Sequence, residues 1–264
     1  MAPLVLDRLN VVESGACSGT GDVTAVLLHA WTMDLTAWDR VAPALPGRVL
    51  RYDHRGHGRS GAGLPARISE LADDLAAVLE ERVPSGRIVL AGHSLGGMTI
   101  MALAESRPSL FERVSGVVLV ATSCGDLPAM HPVERFAGRW LAKRPRVGFA
   151  RVIAPGLRIG AFGRGASWAD VRASAEMVGR TDGATLIGIR EELTVHQRRS
   201  ALDVLSDIPT AVLAGGADRL TPLRHARAMA AALPHAELVI YPRAGHMLPL
   251  ERSTDVAHRI ASLM

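Results

Sequence analysis

The stretch IVLAGHSLGGMTI, residues 88–100, interrupts an apolar run with a Gly-His-Ser-Leu-Gly-Gly cluster and then turns apolar again. Ile88 to Ala91 has the composition of a buried strand and Met98 to Ala104 that of a helix, so the glycines fall on the turn between them, with Ser94 at its apex. A serine at that place is either a helix cap or a nucleophile. A cap needs only a side-chain oxygen facing the first helix N–H groups. A sharp strand-to-helix turn demands more: its central residue is forced into strained backbone geometry, and residues two positions either side have no room for side chains. Gly92-His93-Ser94-Leu95-Gly96 meets that demand as G-x-S-x-G. Ser94 is therefore read as a nucleophile with an exposed hydroxyl beside the helix N–H groups.

Outward from this turn, short aliphatic runs alternate with helical patterns. Ala25 to Leu28, Arg48 to Tyr52, Gly116 to Ala121, Thr210 to Ala214 and Glu237 to Tyr241 read as further strands. Leu35 to Leu45 is amphipathic, and Ser69 to Val83 reads as a helix with Leu71, Leu75, Val78 and Leu79 on one face. Further helices are expected over Pro222 to Leu233, with Thr221 as its cap and Pro222 in its first turn, and over Ser253 to Leu263. Such alternation implies an α/β fold with a mostly parallel central sheet covered by helices on both faces. From about Gly125 to Ile208 no strand is legible. That Gly-, Pro- and Arg-rich segment, which holds Trp140 and Trp168, reads as helices inserted between two strands, the way a lid over the sheet edge is built.

A serine nucleophile needs a base and an orienting carboxylate. Asp218 follows the strand ending at Ala214 and precedes Thr221-Pro222; His246 follows the strand ending at Tyr241. Both are expected at the sheet edge that carries Ser94, in the chain order Ser, Asp, His. Asp126, just after the strand ending at Ala121, is a second candidate for the acid, ranked below Asp218. His29-Ala30-Trp31 directly follows the first strong strand, which makes the backbone N–H of Trp31 a candidate oxyanion donor together with that of Leu95. His54 and His57 form an H-x-x-H pair, but Gly56 and Gly58 mark a turn and no further ligands have metal spacing, so no metal site is assigned.

With these residues in view, the chain resembles the α/β-hydrolase fold family, in its serine esterase, lipase and perhydrolase branch. The resemblance covers roughly residues 10–124 and 205–264 and includes the segment Asp53-His54-Arg55-Gly56-His57-Gly58-Arg59-Ser60, which is similar to the family's D-x-R-G-x-G-x-S. It implies a core of residues 1–124 and 205–264 and a helical cap of residues 125–204, inserted after the sixth strand. It also implies a Ser94, Asp218, His246 triad, and mainly structural roles for Asp53 and Arg55. The chain departs from the family at Ala30, where His-Gly is usual, so the oxyanion loop is expected to sit somewhat differently. Serine at position 94 speaks against the aspartate-dependent epoxide and haloalkane chemistries of the fold. The implied activity is hydrolysis of carboxylic esters or thioesters without a cofactor. Carbon–carbon hydrolysis or perhydrolysis by the same triad, or a non-hydrolytic ligand receptor, are the alternatives.

Composition sets the remaining bounds. The 264 residues are 48% hydrophobic and 21% charged, the range of ordinary folded domains. There is no apolar run of transmembrane length, and MAPLVLDRLNVVE lacks the layout of a signal peptide, so a cytoplasmic chain is expected. Cys17 and Cys124, far apart, signal neither a disulfide framework nor a zinc site. The net charge of +4 rests on arginine, with Lys143 the one lysine, and without basic tracts or aromatic interleaving it does not indicate nucleic acid. Residues 126–200 hold 13 Lys plus Arg against 7 Asp plus Glu. A solvated basic surface is the first reading of that excess, and docking of an anionic substrate or acyl carrier the second. Oligomeric state has no signature here.

Overall fold

The computed structural model describes residues 8–15, 23–61, 67–144, 148 and 150–264, so Cys17 lies outside the described residues. Among them, seven strands form one sheet: β1 (Val11–Ser14), β2 (Val23–Leu28), β3 (Arg48–Tyr52), β4 (Arg87–His93), β5 (Val114–Val120), β6 (Thr210–Gly215) and β7 (Glu237–Tyr241). The helices are α1 (Ile68–Arg82), α2 (Leu95–Ser106), α3 (Pro132–Leu141), α4 (Ala150–Gly160), α5 (Trp168–Arg180), α6 (Gly183–Val195), α7 (Ala201–Leu205), α8 (Leu223–Ala232), α9 (Leu248–Glu251) and α10 (Ser253–Ala261). No described helix is long and apolar enough to cross a membrane.

The strand order is β1-β3-β2-β4-β5-β6-β7, with β1 antiparallel to β3 and every other pair parallel. Side chains alternate along each strand, and in the central strands β2, β4, β5 and β6 both faces are buried. Val26, Leu28, Leu90 and Leu119 pack with α1 and α2, while Ala25, Leu27, Val89 and Val118 pack with α10. Leu71, Leu75, Val78 and Leu79 of α1 are fully buried, each stabilising the fold by about 1.5–3 kcal/mol. This is the mostly parallel, doubly covered sheet that the alternation implies.

The order also fixes where a site can form. From β2 the chain crosses to β3 on one side, and from β4 to β5 on the other, so β2 and β4 are neighbours whose connections diverge. A crevice opens at such a switch point beyond the C-terminal strand ends. The residues that follow β2 and β4 are His29-Ala30-Trp31 and Ser94.

Several local expectations are revised. Leu35 to Leu45 forms two 3-10 turns, Leu35–Trp38 and Ala42–Ala44, because Asp34 accepts the Thr36 N–H and Pro43 has none to donate. β1 is an added strand, half-exposed and only four residues long. Among the described residues, α3 to α7 follow the fifth strand in chain order rather than the sixth, since β1 is the first described strand. α7 buries Ala201, Leu202 and Leu205 in the same core cluster as α1 and α2.

The Asp53 to Ser60 segment is a hub of polar contacts. Asp53 accepts from the Leu35 N–H (2.7 Å), the Arg59 N–H (2.8 Å) and Asn10 Nδ2 (2.8 Å). Arg55 grips Asp74 of α1 with two hydrogen bonds of 2.7 and 2.6 Å, and the Asp74 side chain is fully buried. Removing one partner of a buried pair strands the other charge. Arg55→Met is expected to destabilise the fold by about 3–5 kcal/mol in denaturant unfolding; a change within about 1 kcal/mol contradicts this role for the pair.

Candidate active site

Ser94 stands between β4 and α2 with φ 52° and ψ −109°, a conformation that costs a non-glycine residue energy. The surroundings enforce it. The Ser94 N–H donates to Val120 O (2.9 Å), and its carbonyl accepts from Thr122 Oγ1 (2.6 Å) and the Met98 N–H (3.2 Å). A Cβ on Gly92 would collide with the Gly96 and Gly97 backbone, and one on Gly96 with the Leu28 carbonyl. The helix begins at Leu95, and the Ser94 side chain makes no cap hydrogen bond to it. The hydroxyl is thus not used as a cap.

Asp218 lies on the loop after β6 and His246 on the loop after β7, as their strand-end positions suggest. Asp218 Oδ2 accepts a hydrogen bond from His246 Nδ1 at 2.8 Å and from Thr221 Oγ1 at 2.8 Å. Its Oδ1 accepts the N–H groups of Leu220 (2.8 Å) and Thr221 (3.0 Å). Burial works against the charge of Asp218, yet the His246 imidazole and the Thr221 donors hold its pKa below the usual carboxylate value. Thr221 is therefore not the cap of the following helix, which starts at Leu223 with Pro222 in the capping position. It is a third member of the Asp218–His246 cluster, although the sequence alone reads it as a helix cap. A hydroxyl two or three residues after a strand-end aspartate was the available signal.

Ser94 and His246 line one cavity of about 480 Å³ with Trp31, Met98, Leu157 and Leu193. The structure joins Asp218 to His246 and brings Ser94 and Trp31 to the same cavity; among the described residues no hydrogen bond joins Ser94 Oγ to His246. The backbone N–H groups of Trp31 and Leu95 donate to no described residue. Ala30 is accommodated because its φ is not positive; the left-handed residue of the loop is Thr32, at φ 64°. The Asp126 side chain is 62% exposed and is held by Arg199 (2.9 Å) and Gln197 (3.2 Å), with no described contact to His246.

Behind the Trp31 loop lie three buried imidazoles. His29 Nδ1 donates to Ala30 O (2.8 Å) while its Nε2 accepts the His54 N–H (2.8 Å). Burial pushes the pKa of His29 down to about 4 and that of His57 to about 3, so both are neutral near pH 7. No cluster of His, Cys, Asp or Glu among the described residues is arranged to hold a metal.

Comparison with known proteins agrees with this architecture. The family described as "Alpha/beta hydrolase family" matches residues 25–259. The pimeloyl-[acyl-carrier protein] methyl ester esterase of Klebsiella pneumoniae is 30% identical over 86% of this chain and 88% of its own length. The chain also matches, at 27% identity over 93% of its length, the dihydrolipoyllysine-residue acetyltransferase component of the acetoin cleaving system of Pseudomonas putida, spanning 64% of that protein. Among solved structures, an esterase from Thermogutta terrifontis superposes with a TM-score of 0.79 at 25% identity, covering 96% of this chain and 92% of that one. The chain belongs to the α/β-hydrolase family. Within it, the chain is an esterase-like hydrolase.

The lowered pKa of Asp218 has a measurable consequence. Its ionised form stabilises the fold fully above its unfolded pKa of about 4, and this contribution is lost as pH falls through the lower folded value. Thermal midpoints between about pH 6 and about pH 2 are expected to fall more steeply for the wild type than for Asp218→Asn. Equal slopes contradict a charge-stabilised Asp218–His246 pair.

Proposed function

We propose that the chain is a serine hydrolase of carboxylic esters or thioesters, with Ser94 as nucleophile, His246 as general base and Asp218 as the carboxylate that orients it. The observation that carries this reading is the buried 2.8 Å hydrogen bond from His246 Nδ1 to Asp218, made by an imidazole that shares a cavity with a strained, uncapped Ser94. Asp218 fixes the tautomer with the proton on Nδ1, which leaves Nε2 to take the Ser94 proton. Ser94 Oγ then attacks the acyl carbonyl. The Trp31 and Leu95 N–H groups receive the oxyanion, a donor of this kind contributing about 2.7–4 kcal/mol to the transition state. Collapse of the tetrahedral intermediate expels the alcohol or thiol, protonated by His246, and leaves an acyl-enzyme. Water activated by the same imidazole releases the acid. No cofactor is required.

The cavity walls are mostly apolar, which suits an acyl chain, and they draw on α4 and α6. On this reading residues 125–204 form the cap over a core of residues 1–124 and 205–264. The basic excess of the cap and the acyl-carrier ester named for the Klebsiella relative both favour a substrate presented on an anionic carrier. Part of that excess is nevertheless spent inside the molecule: Arg180 pairs with Asp34 (2.6 Å) and Arg198 with Glu105.

Steady-state hydrolysis of p-nitrophenyl esters of graded chain length tests the reading. Wild-type turnover is expected to show a preferred chain length, and Ser94→Ala to lower kcat by at least about 10³-fold. Equal background rates in the two proteins sink the esterase reading and leave carbon–carbon hydrolysis, perhydrolysis or ligand binding without turnover.

A further inference from the structure

His246 sits in a backbone turn whose hydrogen bonds converge on one side chain outside the triad. Glu251, the last residue of α9, points its carboxylate back at the loop. Oε1 and Oε2 accept the Gly245 N–H at 3.0 and 3.1 Å, and Oε1 also accepts the Met247 N–H at 3.2 Å. Gly245 and Met247 are the residues on either side of His246. Oε2 takes a third donor, the Gly163 N–H, at 2.8 Å, from the connection between α4 and α5. The His246 N–H itself donates to Ala161 O of that connection (2.7 Å), and the His246 carbonyl accepts from His93 Nε2 (2.9 Å).

Glycine makes this meeting possible. A Cβ on Gly245 would lie 2.7 Å from Ala161 O, and a Cβ on Gly163 would lie 2.7 Å from the Gly245 nitrogen. Gly163, Gly245 and Met247 are all buried, so their N–H groups have no water to turn to when the carboxylate is removed. A charged acceptor shared by three buried donors is also stronger than neutral hydrogen bonds would be.

We propose that Glu251 is a positioning residue for His246: its carboxylate locks the Gly245–His246–Met247 turn to the inserted segment at Gly163, so the imidazole is held in register with Ser94. The inference rests on the reading of His246 as general base. Its structural part, that Glu251 fixes the imidazole, stands on the hydrogen bonds alone. The inserted segment and the base thus share one clamp, and displacing the segment moves the imidazole.

The test compares Glu251→Ala and the near-isosteric Glu251→Gln with the wild type in two readouts, after cooperative thermal unfolding has shown each variant to be folded. The first is the NMR signal of the His246 imidazole, assigned by its absence in His246→Gln. It is expected to shift and broaden in Glu251→Ala and to be intermediate in Glu251→Gln, which keeps one acceptor oxygen. The second is ester hydrolysis. kcat is expected to fall about tenfold or more in Glu251→Ala with KM changed by less than about threefold, the signature of a misplaced catalytic group rather than a damaged cavity. If Glu251→Ala does not fold, Glu251→Gln carries both comparisons. Wild-type imidazole signals in a folded variant, or a KM effect with unchanged kcat, overturn the proposal. Should wild type and Ser94→Ala hydrolyse esters equally slowly, the hydrolase reading fails, and the imidazole signals still decide the role of Glu251.

Discussion

The N-terminus of α2 comes so close to the end of β2 that a side chain on Gly96 would collide with the Leu28 carbonyl oxygen. This approach sets the site. It forces the chain between β4 and α2 into the tight turn that leaves Ser94 left-handed, and it does so at the place where the connections from β2 and β4 diverge. The loop leaving β2 carries Trp31 to the cavity that Ser94 lines. The strain at Ser94 persists because Val120 at the end of β5, Thr122 in the loop after it and Met98 in α2 hold its peptide groups.

The inserted segment fastens to both loops that flank the cavity. On the β2 side, Trp31 Nε1 donates to Leu186 O (3.1 Å), Thr181 Oγ1 to Thr32 O (3.3 Å), and Arg180 to Asp34. On the β7 side, Ala161 and Gly163 meet the His246 turn through backbone and through Glu251. The insertion is therefore a structural partner of the loops that carry Trp31 and His246 as well as a wall of the cavity. Arginines that read as surface charge in the sequence act partly as ties of this kind.

Legibility in the sequence follows the type of constraint. The sheet and the turn at Ser94 are legible because strands buried on both faces are aliphatic and because only glycine tolerates backbone at contact distance. Asp218 and His246 are legible as candidates because each follows a strand end. The role of Thr221 is hidden, since a hydroxyl before Pro222 reads equally well as a helix cap. Glu251 is hidden more deeply: its partners are backbone N–H groups, which leave no trace in residue identity. β1 escapes because Val11–Ser14 is short and half-exposed, and Leu35 to Leu45 keeps an amphipathic pattern although Pro43 breaks it into turns.

The central claim is that Ser94 is a nucleophile activated by the His246–Asp218 pair. Mass-spectrometric mapping after treatment with a fluorophosphonate tests it most directly, because the adduct marks the attacking atom without any assumption about substrate. A single adduct on Ser94, absent when His246 is replaced by alanine, is the predicted result. An unmodified chain, a label on another residue, or labelling of Ser94 that is indifferent to His246 would contradict the account.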